Sequence, residues 1–137
     1  MSGTPGNSEV AQELVEALGF SPESAVLGLE QGFRCAYCDR WLLESIDTFD
    51  LWENDHLTPV SRGGEEATAN LVLSCRLCNK IKRHWIPSTT AGISRRELIE
   101  AARVYVSEGR RAKQDYLDQL LLILERHGQL PNRARVD

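Results

Sequence analysis

The spacing of four cysteines constrains the fold of this chain more than any other feature. They form two Cys-x-x-Cys pairs, Cys35/Cys38 and Cys75/Cys78, and they are all the cysteines among the 137 residues. Each such turn offers two thiolates, so two turns can close a tetrahedral zinc site with no open position. We therefore predict one structural Zn²⁺ ion held by the four cysteines. The alternative, four unrelated buried thiols, is disfavoured by the repeated spacing.

The segment between the two pairs is too long for an ordinary zinc ribbon, in which roughly 15 to 20 residues separate the pairs. A folded insert must therefore lie between Cys38 and Cys75. Zinc binding, worth on the order of 10 kcal/mol in small zinc modules, would hold both ends of that insert. Because the insert contains Asp55, His56 and Asn70, we expect the ion to organise these residues rather than to react.

Chain length and hydropathy limit what can surround this unit. A chain of 137 residues has room for one compact core with appended helices, but not for a second large domain. No stretch approaches the about 20 consecutive apolar residues that cross a membrane, so no membrane association is expected. Closely spaced cysteines are more often metal ligands than disulfides in a reducing compartment. We therefore expect a cytoplasmic protein.

Charge is distributed unevenly along the chain, although the net charge is only −4. Residues 1–59 contain two basic and eleven acidic residues, a net charge of −9, whereas residues 60–137 contain fourteen basic and nine acidic residues, a net charge of +5. Any polyanion would therefore meet the second half of the chain. Two solvated surfaces of opposite sign are an equally good explanation until motifs are considered.

Helical patterns flank the cysteine pairs on both sides. Apolar spacing predicts a helix over 8–18, and Ser21-Pro22 predicts the start of a second helix that ends near Gly32. A capping box over 94–97 predicts a C-terminal helix, with Gly109 as a candidate break before another apolar stripe. We assign 1–32 and 87–137 as helical extensions. Packing within the chain is the preferred role of the C-terminal helices, with a homodimer or a larger assembly as the alternative.

The central segment, 33–86, is predicted to be a small α+β unit. β-Branched and aromatic residues predict a strand over 48–52, with Asp55-His56 at its end. A second strand is predicted over 70–74, returning toward Cys75. A short helix should follow over 76–84 and stop before Pro87. The chemically interesting side chains would therefore lie at the ends of two short strands and on one short helix.

The Asp55-His56 pair alone is weak evidence for a site, because such pairs commonly satisfy surface hydrogen bonds. The pair opens an ordered series of motifs, however. The series consists of Asp55-His56, the loop Pro59-x-Ser61-x-Gly63-Gly64, Asn70-Leu71, and Cys75-x-x-Cys78-Asn79-Lys80. As a combined pattern over 33–83, it resembles the HNH endonuclease family, of the subclass with paired zinc cysteines. The resemblance implies a ββα-metal core with the four-cysteine zinc, flanked here by N- and C-terminal helices.

The resemblance also implies a role for each matching residue. His56 matches the histidine that acts as general base, and Asp55 matches the carboxylate that binds a catalytic Mg²⁺ or Mn²⁺ ion. Asn70 matches the asparagine that braces the loop carrying that histidine. Asn79 occupies a position where many members carry histidine, so the triplet here reads His, Asn, Asn. An amide oxygen remains a suitable ligand for Mg²⁺.

A basic segment accompanies these motifs and suggests contacts to nucleic-acid phosphates. The candidate residues are Arg62, Arg76, Lys80, Lys82 and Arg83. Such contacts give affinity and salt dependence but no sequence choice. A solvated helix end is the competing explanation. His84 is expected to face solvent or a phosphate rather than to bind metal, since it lies more than one helical turn beyond Asn79.

The resemblance as a whole implies a divalent-cation-dependent DNA endonuclease that hydrolyses phosphodiester bonds. No recognition helix with a base-reading set of side chains is evident, so little sequence readout is expected. The alternative is a noncatalytic zinc module that binds nucleic acid or protein. Such a module has no need of the set formed by Asp55, His56, Asn70 and Asn79, which disfavours it.

Overall fold

The computed structural model describes residues 6–88, 90 and 92–131 and confirms an α+β fold with a small two-stranded sheet. Its elements follow in the order α1 (Asn7–Leu18), α2 (Pro22–Gln31), α3 (Ile46–Leu51), β1 (Glu53–His56), β2 (Leu71–Ser74), α4 (Arg76–Lys82) and α5 (Arg95–Arg126). Short 3₁₀ turns cover Val60–Arg62 and Thr68–Asn70. Within the described part of the chain, no helix is long and apolar enough to cross a membrane.

The two N-terminal helices form where the sequence predicts them. In α2, Pro22 occupies the first turn and the Ser21 side chain accepts a hydrogen bond from the Ser24 amide at 3.1 Å. The helix ends at Gly32, whose φ of 62° is a left-handed conformation that glycine adopts without strain. Leu27 of α2 is completely buried in the main hydrophobic core. The N-terminal segment therefore contributes directly to the core.

The prediction of a strand over 48–52 is wrong, because the helix α3 occupies most of that segment. Ser45 and Thr48 form a reciprocal capping box, in which the Ser45 hydroxyl accepts from the Thr48 amide at 3.2 Å. This local cap outweighs the β-propensity of the threonine and the aromatic residues. Strand β1 begins after Trp52 and ends with Asp55 and His56, so the pair does lie at the end of a strand, although of a later strand than the predicted one.

The remaining core is a β-hairpin followed by a short helix. Strands β1 and β2 are antiparallel, with Asp55 opposite Val72 and His56 opposite Leu71. Helix α4 starts directly after β2, with Cys75 as its N-cap, and ends at Lys82, before the predicted limit of 84. This ββα order places the second cysteine pair and Asn79 next to the strand that carries His56.

Helix α5 runs without interruption for 32 residues, so Gly109 does not break it. Gly109 instead allows α5 to approach α4, because a Cβ atom there would lie 2.5 Å from Ile81 Cγ2. Ala102 and Val106 of the first half are buried in the main core. Trp85 also stacks on Tyr105, with ring centroids 4.6 Å apart and an interplanar angle of 11°. Beyond residue 110, the helix is mostly exposed.

One hydrophobic cluster joins α2, the central unit and the first half of α5. It contains Leu27 from α2, Val72 and Leu73 from β2, Leu42 and Leu57 from the connecting segments, the buried cysteines, and Ala102 and Val106 from α5. The division into 1–32, 33–86 and 87–137 stays a prediction, and its outermost residues, 1–5 and 132–137, lie outside the described part. The shared cluster indicates that both extensions pack on the central unit.

Candidate functional site

The four cysteines come together as the spacing predicts. Their sulfur atoms all lie within 4.8 Å of one another, a geometry compatible with a single tetrahedral zinc ion. Cys35, Cys75 and Cys78 are buried, and Cys38 is partly exposed. The hydrogen bond from Cys38 holds the pKa of Cys35 well below its usual range, whereas the bond to Cys35 raises the pKa of Cys78. Four sulfur atoms this close cannot all be negatively charged without a cation, and a Zn²⁺ ion would bind them by displacing the remaining protons.

Arg110 of α5 contacts the cysteine cluster, and the sequence motifs gave no sign of it. Its Nε lies 3.1 Å from Cys78 Sγ and its Nη2 lies 3.4 Å from Cys75 Sγ. Burial opposes the charged guanidinium, but the hydrogen bond to Cys78 and the nearby sulfur charges raise the pKa of Arg110 above its ordinary value. Arg110 therefore remains a cation beside the cysteine cluster, where it would partly balance the negative charge of a zinc site with four thiolates.

A second candidate site is an open cavity of about 540 Å³ beside the hairpin. It is lined by Asn54, Asp55 and His56 of β1, by Pro59, Val60, Ser61 and Glu66 of the following loop, and by Asn79, Arg83 and His84 of α4 and its end. Three residues singled out from the sequence, Asp55, His56 and Asn79, therefore share one cavity. The hairpin and α4 bring them together across 25 residues of chain.

Asp55 is held in a buried network at the back of this cavity. Its side chain is only 7% exposed, and its Oδ2 accepts a hydrogen bond from the Tyr37 hydroxyl and lies 3.1 Å from Lys82 Nζ. Burial, reinforced by the charge of Asp55, raises the pKa of Tyr37, so the phenol stays protonated and donates. Both contacts use Oδ2, which leaves Oδ1 as the oxygen that can face a cation.

Lys82 is not placed to contact phosphate, contrary to the prediction. Its side chain is 1% exposed, and its Nζ donates to the His56 carbonyl at 3.0 Å in addition to pairing with Asp55. The reason is helical geometry, because residues two apart lie on nearly opposite faces of a helix. Lys80 of α4 is exposed, whereas Lys82 points into the core.

Asn79 is oriented by a carboxylate at the start of β1. Its Nδ2 donates to Glu53 Oε2 at 3.0 Å. The amide nitrogen is thereby occupied, and Asn79 Oδ1 is the atom left for a cation. Amide and carboxylate oxygens, such as those of Asn79 and Asp55, are of the kind that suits Mg²⁺ or Mn²⁺. In the described residues, only the cysteine cluster unites three or more His, Cys, Asp or Glu side chains at metal-binding distance.

Asn70 joins the two sides of the loop that follows β1. Its Oδ1 accepts from the Thr58 amide at 2.9 Å, while its Nδ2 donates to the Thr58 carbonyl at 2.9 Å and to the Glu65 carbonyl at 2.8 Å. Gly64 is required between these points, because a Cβ atom there would lie 1.7 Å from the Thr58 carbonyl oxygen. The loop next to His56 is thus fixed through its backbone.

His56 has a carboxylate partner that sequence reasoning missed. Its Nε2 lies 2.5 Å from Glu66 Oε1. The His56 side chain is 30% exposed and the Glu66 side chain 74% exposed. Glu66 does not belong to any of the HNH-like motifs. The one signal in the sequence is that Glu66 lies in the same loop as Gly64, two residues further on.

The other predicted phosphate contacts are exposed, but they do not all lie at the cavity that contains His56. Arg83 lines the cavity with His84, whose Nδ1 lies 3.5 Å from the Ser61 hydroxyl. Arg62 and Lys80 are exposed nearby in sequence. Arg76 is exposed beside a different depression, which it lines with Arg40 and Leu77. A phosphate near His56 would therefore meet Arg83 before Arg76.

Comparison with known families agrees with this geometry. Residues 35–84 match the model of the HNH endonuclease family. No curated protein matches the chain. The matched segment starts at the first zinc-type cysteine, ends at the cavity residue His84, and includes β1, β2 and α4. The central segment of this chain, residues 35–84, is therefore similar to the HNH endonuclease family.

Proposed function

We propose that the protein is a DNA endonuclease that hydrolyses phosphodiester bonds with one catalytic divalent cation, Mg²⁺ or Mn²⁺. The observation that carries the proposal is the convergence of His56, Asp55 and Asn79 on one open cavity. In this proposal the domain is the His-Asn-Asn variant of the family's zinc-cysteine subclass. The Zn²⁺ ion bound by the four cysteines is structural, since four protein ligands leave no position for water.

In the proposed reaction, His56 is the general base. An imidazole can accept a proton at near-neutral pH, so His56 takes one from a water molecule at the mouth of the cavity. The water oxygen forms a bond to phosphorus, and the bond from phosphorus to the 3′ oxygen breaks, with its electron pair leaving on that oxygen. Asp55 and Asn79 would hold the divalent cation. When bound, that ion stabilises charge on the scissile phosphate and on the leaving oxygen.

Duplex DNA would be held mainly through its phosphates. The exposed residues Arg62, Arg76, Lys80 and Arg83 are the proposed contacts, with Arg83 nearest to the reacting phosphate because it lines the cavity. Phosphate contacts fix the position of the duplex without reading its sequence. We therefore propose weak sequence preference and an affinity that falls steeply with salt.

Plasmid relaxation in Mg²⁺ or Mn²⁺ tests the proposal. The zinc-loaded protein should nick supercoiled DNA, and His56→Ala should be inert while binding the same amount of zinc. His84→Ala is the matched control, because it removes a second histidine of the same cavity and should retain activity. Equal activity of the wild type and His56→Ala would refute the assignment of the base.

The noncatalytic zinc module is not favoured. It would bind nucleic acid without cutting it under any divalent cation, and the same assay detects that outcome. A homodimer or larger assembly through α5, and a cytoplasmic location, stay predictions from the sequence.

A further inference from the structure

The contact between the His56 ring and the Glu66 carboxylate is a feature of the cavity that the proposed reaction does not explain. Glu66 approaches from the loop that follows β1, and its Oε1 lies 2.5 Å from His56 Nε2. Nothing in the proposed reaction requires a carboxylate at this place, since the cation is assigned to Asp55 and Asn79. The contact also joins residues ten apart in sequence, so local chain geometry alone does not impose it.

Hydrogen bonds and close packing fix the backbone of the loop that carries Glu66. Gly64 N donates to the Pro59 carbonyl at 2.9 Å, and Asn70 Nδ2 donates to the carbonyl of Glu65 at 2.8 Å. A side chain at position 64 would collide with the Thr58 carbonyl, so this stretch is pressed against the residues that follow His56. Although the Glu66 side chain is exposed, the backbone just before it is therefore anchored on the residues that follow His56.

A hydrogen bond to one ring nitrogen determines what the other can do. If Nε2 carries the proton and donates it to the Glu66 carboxylate, the lone pair of the neutral ring is on Nδ1. Carboxylates orient and select the tautomer of catalytic and metal-binding histidines in this way. An exposed pair of this kind adds little to stability, so its effect is on ring orientation.

We propose that Glu66 is a positioning residue for His56, which holds the Nε2–H tautomer and leaves Nδ1 to accept the proton from water. This inference rests on the proposed role of His56 as general base. Glu66 touches neither the water nor the phosphate in this arrangement. A competing role is that of a third cation ligand, because Glu66 lines the same cavity as Asp55 and Asn79.

The test uses the full chain with zinc bound and the variants Glu66→Ala and Glu66→Gln. Glu65→Gln is the matched control, because the neighbouring carboxylate is also exposed and only its backbone carbonyl is used by Asn70. The first readout is the ¹⁵N NMR spectrum of the His56 ring in its neutral form, without DNA, Mg²⁺ or Mn²⁺. The second is the single-turnover rate of duplex cleavage as a function of DNA and Mg²⁺ concentration.

We expect the wild type and Glu65→Gln to show the Nε2–H tautomer and Glu66→Ala to show a mixture. The cleavage rate of Glu66→Ala at saturating DNA should fall about 10- to 100-fold, as for other carboxylates that orient a histidine, with unchanged half-saturation by DNA and Mg²⁺. Glu66→Gln should lose less, because its amide oxygen can accept the same hydrogen bond.

The outcomes separate this inference from the function on which it rests. An unchanged tautomer in Glu66→Ala overturns the inference, whether or not the protein cuts DNA. A higher Mg²⁺ requirement with an unchanged tautomer also overturns it and makes Glu66 a cation ligand. A tautomer that changes in Glu66→Ala, in a protein whose wild type cuts no DNA, supports the positioning contact and refutes the nuclease proposal alone.

Discussion

At the scale of single residues, the motifs predicted which side chains meet but not how each is held. The positions of Cys35, Cys38, Cys75 and Cys78 follow from spacing alone, and they converge as expected. The contacts of Lys82 did not follow, because a motif records that a lysine is present and not which face of α4 it occupies. Glu66 and Arg110 were missed because each acts through a contact made only by the folded chain.

Lys82 is expected to contribute to stability rather than to DNA binding. Removing its side chain in Lys82→Ala would leave the buried Asp55 carboxylate without the ammonium group that pairs with it, which typically costs about 3 to 5 kcal/mol. Urea denaturation of the zinc-loaded protein measures this loss. The control is Lys80→Ala on the exposed face of α4, which should change stability by less than about 0.5 kcal/mol and weaken DNA binding instead. A stable Lys82→Ala with weaker DNA binding would contradict the assignment.

At the scale of elements, the sequence predicted the presence of most helices and strands better than their boundaries. Helices α1 and α2 and strand β2 lie close to their predicted limits. The segment 48–52 was misassigned because the Ser45–Thr48 cap is a local signal that competes with β-propensity. The break at Gly109 was a reasonable expectation from propensity, since glycine weakens a helix by about 1 kcal/mol. The structure explains this glycine by its contact with Ile81.

Gly109→Ala should therefore destabilise the protein, although alanine is the better helix former. The new Cβ would meet Ile81 Cγ2, a stiff β-branched side chain, and overpacking of this kind costs about 1 to 3 kcal/mol. This loss exceeds the about 1 kcal/mol gained in helix propensity. Thermal unfolding measures the net effect, and adding Ile81→Ala to Gly109→Ala should remove the clash. A more stable Gly109→Ala would show that α4 and α5 do not pack this closely.

Arg110 links α5 to the zinc site, so its loss should affect the metal. Hydrogen bonds to charged groups contribute about 1.5 to 3 kcal/mol, so Arg110→Gln should release zinc to a chelator roughly 10- to 100-fold faster. Arg111→Gln is the control, because Arg111 is the exposed neighbour on the same helix. Competition with a coloured chelator gives both rates. Equal release from the two variants would exclude a role for Arg110 in holding the thiolates.

At the scale of the whole molecule, one apolar face of α5 is buried in the first half of the helix and exposed in the second half. At 100° per residue, Leu117, Leu120 and Leu124 lie on the same side of the helix as the buried Ala102 and Val106. Leu117 is 43% and Leu120 is 44% exposed, so the apolar face continues past the core without a partner in the described chain. The sequence predicted this stripe, but not that it projects beyond the region where α5 packs.

A homodimer is the alternative role named from the sequence for this helix, and we propose it for the exposed stripe because a second copy supplies an identical apolar face. Light scattering should give a mass above that of the monomer for the wild type and the monomer mass for the double variant Leu117→Gln, Leu120→Gln. Leu18→Gln is the control, since Leu18 is 70% exposed on α1, away from α5 in sequence. A monomeric wild type at all concentrations would contradict self-association and leave α5 to a different partner.

The central claim is that His56 and the cation ligands around it cut DNA, and the single-turnover cleavage of a duplex oligonucleotide in Mg²⁺ tests it most directly. The zinc-loaded wild type should leave 3′-hydroxyl and 5′-phosphate ends. The variant His56→Ala, with equal zinc content, should be slower by about 100-fold or more. Cleavage by both proteins at the same rate, or no cleavage by either in Mg²⁺ or Mn²⁺, would contradict it.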